Sequence, residues 1–230
     1  MEHKGHKSSH HHHENHHANV KSEVDVLVHY ENNLLTIELK DKAGNAPTLE
    51  VSHEKIFHLI IASFDLKQYY HLHPVDKGNG IFQQEINLTE GLYKVFADIT
   101  PQDLNYKIEP IDLQVGSTEQ NNQASLQPDT TFQKTINDIT VKLEMNSLVV
   151  NEPTTLDFQI SGGQPEPYLG ALGHVIIIDE DIEQFIHVHP ESADKTVFHT
   201  QFTEPGIYKI WGEFKFDGEV LTFPFVIEVK

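Results

Sequence analysis

Nine of the seventeen histidines in this 230-residue chain lie beyond residue 20, and six of those nine fall into one pattern written twice. The first copy is His58, twelve residues, His71, one residue, His73 and Pro74; the second is His174, His187, His189 and Pro190 at the same spacing. Phe82 and Phe198 follow the two prolines at the same step of eight residues, and "EGLYKVFAD" from Glu90 answers "PGIYKIWGE" from Pro205. The chain therefore reads as an internal duplication. Neutral ring nitrogens suit Cu(II), Zn(II) and Ni(II). With no cysteine, and only Met1 and Met145 as thioethers, a Cu(I) site is disfavoured. The Irving–Williams order then puts Cu(II) first, with Zn(II) as its competitor.

Such chemistry needs elements that bring the rings together. Residues at i and i+2 of a strand share a face, so His71 projects with His73, and His187 with His189. If the twelve-residue insert is a hairpin, turning near Phe64 to Leu66 in the first copy and Asp179 to Ile182 in the second, His58 lies across from His71 and His174 across from His187. Directly opposed residues share a face with Cβ atoms about 4.5 to 5.5 Å apart. Three imidazoles are then expected to converge at one end of one sheet in each half. Asp98 and Glu213 occupy equivalent places in the duplication and are candidates for a fourth ligand or for a carboxylate that orients one. His53 and His199 have no counterpart in the other copy and are secondary candidates. A lone buried histidine is ordinarily a hydrogen-bonded core residue or a pH-sensitive group; recurrence of the whole triad carries the metal reading. Tyr93, Phe96, Tyr208 and Trp211 read as packing residues, since aromatic side chains favour strands.

The rest of the chain supplies those strands. Residues 1–22 hold eight histidines and almost nothing apolar, so they read as a disordered His-rich arm. The arm reads as a native metal-collecting tract, with a purification tag as the alternative. Residues 23–116 and 130–230 are built of short apolar or alternating runs such as "VDVLVHY", "FHLIIAS", "HVIIID" and "GIYKIWGEF", punctuated by Gly, Pro, Asn and Asp. Asp217-Gly218 is a hairpin turn signal. Residues 117–129 are polar and without period, a linker. Two blocks of about 95 to 100 residues, each with seven or eight strands, predict an all-β fold of two tandem immunoglobulin-like β-sandwiches.

Composition narrows the function classes. Sixteen lysines, no arginine and 35 acidic residues give a formal charge of −19. Nucleic acid and anionic lipid repel such a chain, whereas cations concentrate in its field. No apolar run approaches the roughly 18 to 20 residues of a transmembrane helix. No signal peptide is visible, and the opening "MEHKGH" is read as the mature start of an exported protein.

The stretch "LGALGHVIIIDEDIEQFIHVHPES" with the following "PGIYKIWGEF" resembles the bacterial extracytoplasmic immunoglobulin-like domains of the YtkA-like kind, and more distantly the CopC-like copper-binding sandwiches. The likeness covers about sixty residues of the second half and, more weakly, the equivalent part of the first. It rests on His174, His187, His189 and Pro190, with Gly206 and Tyr208 marking the next strand. It implies a bacterial cell-surface lipoprotein, secreted or periplasmic protein that handles metal. The expectation is thus a non-enzymatic protein that sequesters Cu(II) or Zn(II), confers tolerance to it, or delivers it to a transporter or metalloprotein acceptor. Two alternatives stand beside it. Three histidines and an open position also make a zinc hydrolase or hydratase, and a structural or adhesive tandem would carry the histidines incidentally or as a pH sensor.

Overall fold

The computed structural model describes residues 21–117, 125–188 and 190–230. Most of the expected arm, residues 1–20, the linker segment 118–124, and His189 lie outside the described residues. Every regular element described is a strand. The first half contains β1 (Val24–Glu31), β2 (Leu34–Asp41), β3 (His58–Ser63), β4 (Tyr69–Leu72), β5 (Val75–Gly78), β6 (Ile81–Glu85), β7 (Gly91–Asp98) and β8 (Ile111–Val115). The second contains β9 (Gln133–Ile136), β10 (Ile139–Met145), β11 (Pro153–Ser161), β12 (His174–Asp179), β13 (Phe185–Val188), β14 (Val197–Gln201), β15 (Gly206–Phe216) and β16 (Glu219–Val229).

Four antiparallel sheets follow, two per half: β1-β2-β6-β5 against β4-β3-β7-β8, and β9-β10-β11-β14 against β13-β12-β15-β16. The expected pair of immunoglobulin-like sandwiches is what forms. Tight turns reflect local chemistry: Asn32-Asn33, Asn137-Asp138 and Asp217-Gly218 all adopt positive φ, as two-residue hairpin turns of the mirror-image type require. The halves differ at both edges of one sheet. The first places β5 beside β6, whereas the second adds β9 beside β10 and keeps only a bridge from Pro190 to Phe198 where β5 would be.

Each sandwich buries its own core. Leu35, Ile37, Leu59, Ile61, Tyr93 and Val95 lie in the first, and Val141, Phe158, Val175, Ile177, Tyr208 and Phe225 in the second. A third core joins the halves: Ile60, Ala62, Leu66 and Phe96 of the first pack with Ile176, Ile178, Ile182 and Trp211 of the second. This explains why β3 is buried at all six residues and β12 at its first five. Their inner residues face their own sandwich and their outer residues face the other one. Strands covered on both faces read as continuous apolar runs rather than alternating ones, which "HLIIAS" and "HVIIID" do. Burying a large apolar side chain contributes roughly 1.5–3 kcal/mol, so this contact is a genuine core.

The interface is built with approximate two-fold symmetry: β4 meets β15, the counterpart of β7, and β13, the counterpart of β4, meets β7. Tyr69 stacks on Trp211 with centroids 4.5 Å apart, and Phe185 stacks on Phe96 at 5.1 Å. Lys94 reaches Glu183 at 3.3 Å, while its equivalent, Lys209, donates to the Leu66 carbonyl at 2.6 Å. Beyond the undescribed linker segment, Leu126 also packs on this interface and Asp129 pairs through its backbone with Val226.

Candidate metal centre at the domain interface

His58 opens β3 opposite Asp98, the last residue of β7, and His174 opens β12 opposite Glu213 on β15. The hairpin pairing differs from expectation. Ile60, not His58, faces His71, and Ile176, not His174, faces His187. Side-chain caps set the register: Ser63 Oγ donates to Asp65 at 2.7 Å and accepts the Gln68 N–H at 2.9 Å, and Asp179 accepts the N–H groups of Glu183 and Gln184 at 2.8 and 2.7 Å. These caps centre each loop one residue later than the spacing alone suggests, which moves the pairing by two residues. A shift of two preserves the face, so the rings still converge, as diagonal rather than direct neighbours.

That shared face is the one turned toward the other domain. Instead of a separate site at the end of each sandwich, His58, His71 and His73 of the first triad meet His174 and His187 of the second in one cluster. The His58 ring lies 5.2 Å from that of His187 and 6.5 Å from that of His174, and the His71 ring lies 5.7 and 6.0 Å from the same two. Asp98 and Glu213 both take part, each crossing to the opposite half. His71 Nδ1 donates to Glu213 Oε2 at 2.6 Å, and His187 Nδ1 donates to Asp98 Oδ2 at 2.6 Å.

Within the first triad these bonds fix where the lone pairs point. His58 Nε2–H donates to the Ser52 carbonyl at 3.0 Å, leaving Nδ1 as its basic nitrogen; the Glu213 contact likewise leaves Nε2 of His71 basic. Those two nitrogens stand 3.0 Å apart, and His73 Nε2 stands 3.2 Å from the same His58 Nδ1. With both rings neutral, two lone pairs face each other across the 3.0 Å gap, an arrangement that a shared proton or a bound metal ion relieves. Ring centroids at 5.3, 4.9 and 5.1 Å close an almost equilateral triangle. Three imidazoles on a tetrahedral ion, with metal–nitrogen bonds of about 2.0–2.1 Å, place centroids roughly 5 Å apart. The ligand atoms of His58, His71 and His73 all lie within 4.8 Å of one another, so this group can hold a metal ion.

Burial favours the neutral form of four of the rings. It is the largest cause that pulls His58 below its ordinary value, His73 to about 3, His174 to about 2 and His187 well down, with neighbouring rings adding to the effect. Neutral imidazole is the ligating form. In the second half His174 is fully buried, and neither of its ring nitrogens has a hydrogen-bond partner among the described residues.

The secondary candidates separate. His53 reaches the cluster, whereas His199 sits exposed on β14, in the other sheet of the second sandwich, 3.2 Å from Thr155 Oγ1. The four aromatic residues expected to pack do so, Tyr93 and Tyr208 in the two sandwich cores and Phe96 and Trp211 at the interface. Sequence reasoning missed the Ser52 carbonyl, which no side-chain motif announces, and Tyr168, whose ring meets His174 edge-on at 5.2 Å.

A family model described as Domain of unknown function (DUF8832) matches residues 7–116 and 134–230. No curated protein matches the chain. Among solved structures, the FN1-FN3 domains of chicken CNTN1 are similar at 12% identity and a TM-score of 0.26, over 90% of this chain and 66% of that one. The native conformation of E. coli alpha-2-macroglobulin gives 11% and 0.27, over 92% and 15%, and the chicken interferon gamma receptor alpha chain 13% and 0.28, over 91% and 98%. This chain thus spans less than two thirds of the length of the first two. At these TM-scores the likenesses carry no argument, and the fold rests on the strand topology.

Proposed function

This chain belongs to the DUF8832 family, and we propose that it is a non-enzymatic protein that binds Cu(II) or Zn(II) outside the cytoplasm, for sequestration, tolerance or delivery. The observation that carries the reading is the pair of opposed basic nitrogens of His58 and His71 at 3.0 Å, each fixed by a hydrogen bond on the far side of its ring. A divalent first-row ion satisfies both, with His73 as third ligand. The repeated spacing supports a second set in the other half, with His174 and His187 in the cluster and His189 outside the described residues. The acidic field and the arm's eight histidines favour cation capture. A metal transporter or a metalloprotein acceptor is the partner class such a protein would serve. Placement at the cell surface, in the periplasm or in the medium rests on the resemblance to exported metal-handling sandwiches.

Calorimetric titration of Cu(II) and Zn(II) into a chain beginning at Lys21, free of the arm's histidines, tests the binding. Tight binding is expected, and its loss in the His58→Ala/His174→Ala double variant. Equal heats from the variant and the parent would end the reading.

A further inference from the structure

His53 belongs to the first domain, yet its ring sits against the second domain's histidines. Its centroid lies 6.1 Å from His174 and 5.9 Å from His187, and those two rings are 5.9 Å apart, a second near-equilateral triangle beside the first. The triangle is wider than the roughly 5 Å expected of rings sharing one tetrahedral ion; His53 stands on a turn that can carry its ring inward, and ring rotation of His174 and His187 would have to shorten the third side. Six rings also exceed the four positions of a tetrahedral ion, so the cluster has more ligands than one ion uses.

The local backbone gives a second line of argument. Ser52 and Lys55 pair across a two-residue turn in which His53 and Glu54 hold φ of 48° and 62°. Turns of this kind select Asn, Asp or Gly, and the duplicated turn between Tyr168 and Ala171 has Leu169 and Gly170 instead, at φ of 52° and 80°. Counting back five residues from each first histidine makes Leu169 the equivalent of His53. Histidine is among the residues enriched at positive φ, so the turn accepts His53, and only this side of the pseudo-symmetric pair carries an imidazole. It meets His174, which is fully buried with no hydrogen-bond partner for either ring nitrogen among the described residues.

We propose that His53, His174 and His187 form a second divalent-cation position with ligands from both domains, next to the ion held by His58, His71 and His73. The inference rests on the metal-binding reading above and adds the second ion's ligand set. An ion there ties the domains together.

The test uses the full chain with the eight arm histidines replaced by asparagine, titrated with Cu(II). Trp211 is the chain's single tryptophan and lies in the interface, so its emission reports copper bound there. Quenching is expected to continue to two equivalents, and the loaded protein to give the half-field paramagnetic resonance of a coupled copper pair. His53→Asn, which suits the positive φ, is expected to end quenching at one equivalent and abolish the half-field signal. His73→Ala should weaken the other equivalent. A His53→Asn protein that still binds the coupled pair overturns the inference. A parent that binds one ion, lost on His58→Ala, overturns it while leaving the metal-binding reading intact. No quenching in the parent overturns both.

Discussion

A carboxylate behind an imidazole fixes its tautomer and raises its basicity, and removing such a partner typically weakens a metal site about 10- to 100-fold. Here the partners are exchanged between domains, which gives a directional prediction. Glu213→Gln, in the second domain, should lower Cu(II) affinity about 10- to 100-fold at the first domain's triad, because it is His71 that loses its acceptor. Asp98→Asn should act on His187 instead. Stepwise titrations of the two variants check this, and an effect of Glu213→Gln confined to the second triad would contradict the exchange. At this scale the sequence was informative. The duplicated spacing picked out His58, His71, His174 and His187, and equivalence in the repeat picked out Asp98 and Glu213. It ranked His53 below them, because a residue without a counterpart in the repeat carries no duplicated spacing, and only the fold brings its ring to the cluster.

Strand positions were legible from alternation and turn residues, but hairpin register was not, since the caps at Ser63 and Asp179 move it by two residues. The outer faces of β3 and β12 hold the domains together, and Ile60 is fully buried there without belonging to either sandwich core. Ile60→Asp should therefore open the interface while each sandwich keeps its own core. The expected signs are a larger radius of gyration by small-angle scattering and a red-shifted Trp211 emission. Expansion accompanied by loss of β-structure would show instead that the interface and the sandwiches are one cooperative unit. The runs "HLIIAS" and "HVIIID" carried the signal for this face, because a sandwich strand exposed on one side would have alternated.

Across the whole molecule, the buried imidazoles couple stability to acidity. His58, His73, His174 and His187 all have folded values below the roughly 6.5 of a free histidine. Above that value both states are neutral and the coupling vanishes. Below it the unfolded chain takes up protons that the fold refuses, so stability falls as pH falls, down toward about 3 for His73 and about 2 for His174. His174, wholly buried, alone accounts for up to about 1.4 kcal/mol per pH unit in that window. Denaturant unfolding of the metal-free protein should show a clear loss from pH 7.5 to 5; a flat profile would mean the rings are not held neutral. The docking of one sandwich on the other was less legible than either fold: the unbroken runs of β3 and β12 mark faces that are covered, but no local pattern states that they cover each other.

The approximate two-fold axis makes this chain a dimer fused into a single polypeptide. Two identical subunits must repeat every residue on both sides of their axis, so any change to the shared surface is made twice. Fusion lifts that constraint. His53 on one side and Leu169 on the other, or Ala97 opposite Leu59 where Gly212 lies opposite Val175, are differences that a homodimer cannot encode. A fused pair can therefore vary its two halves independently without losing the symmetric packing that assembles it.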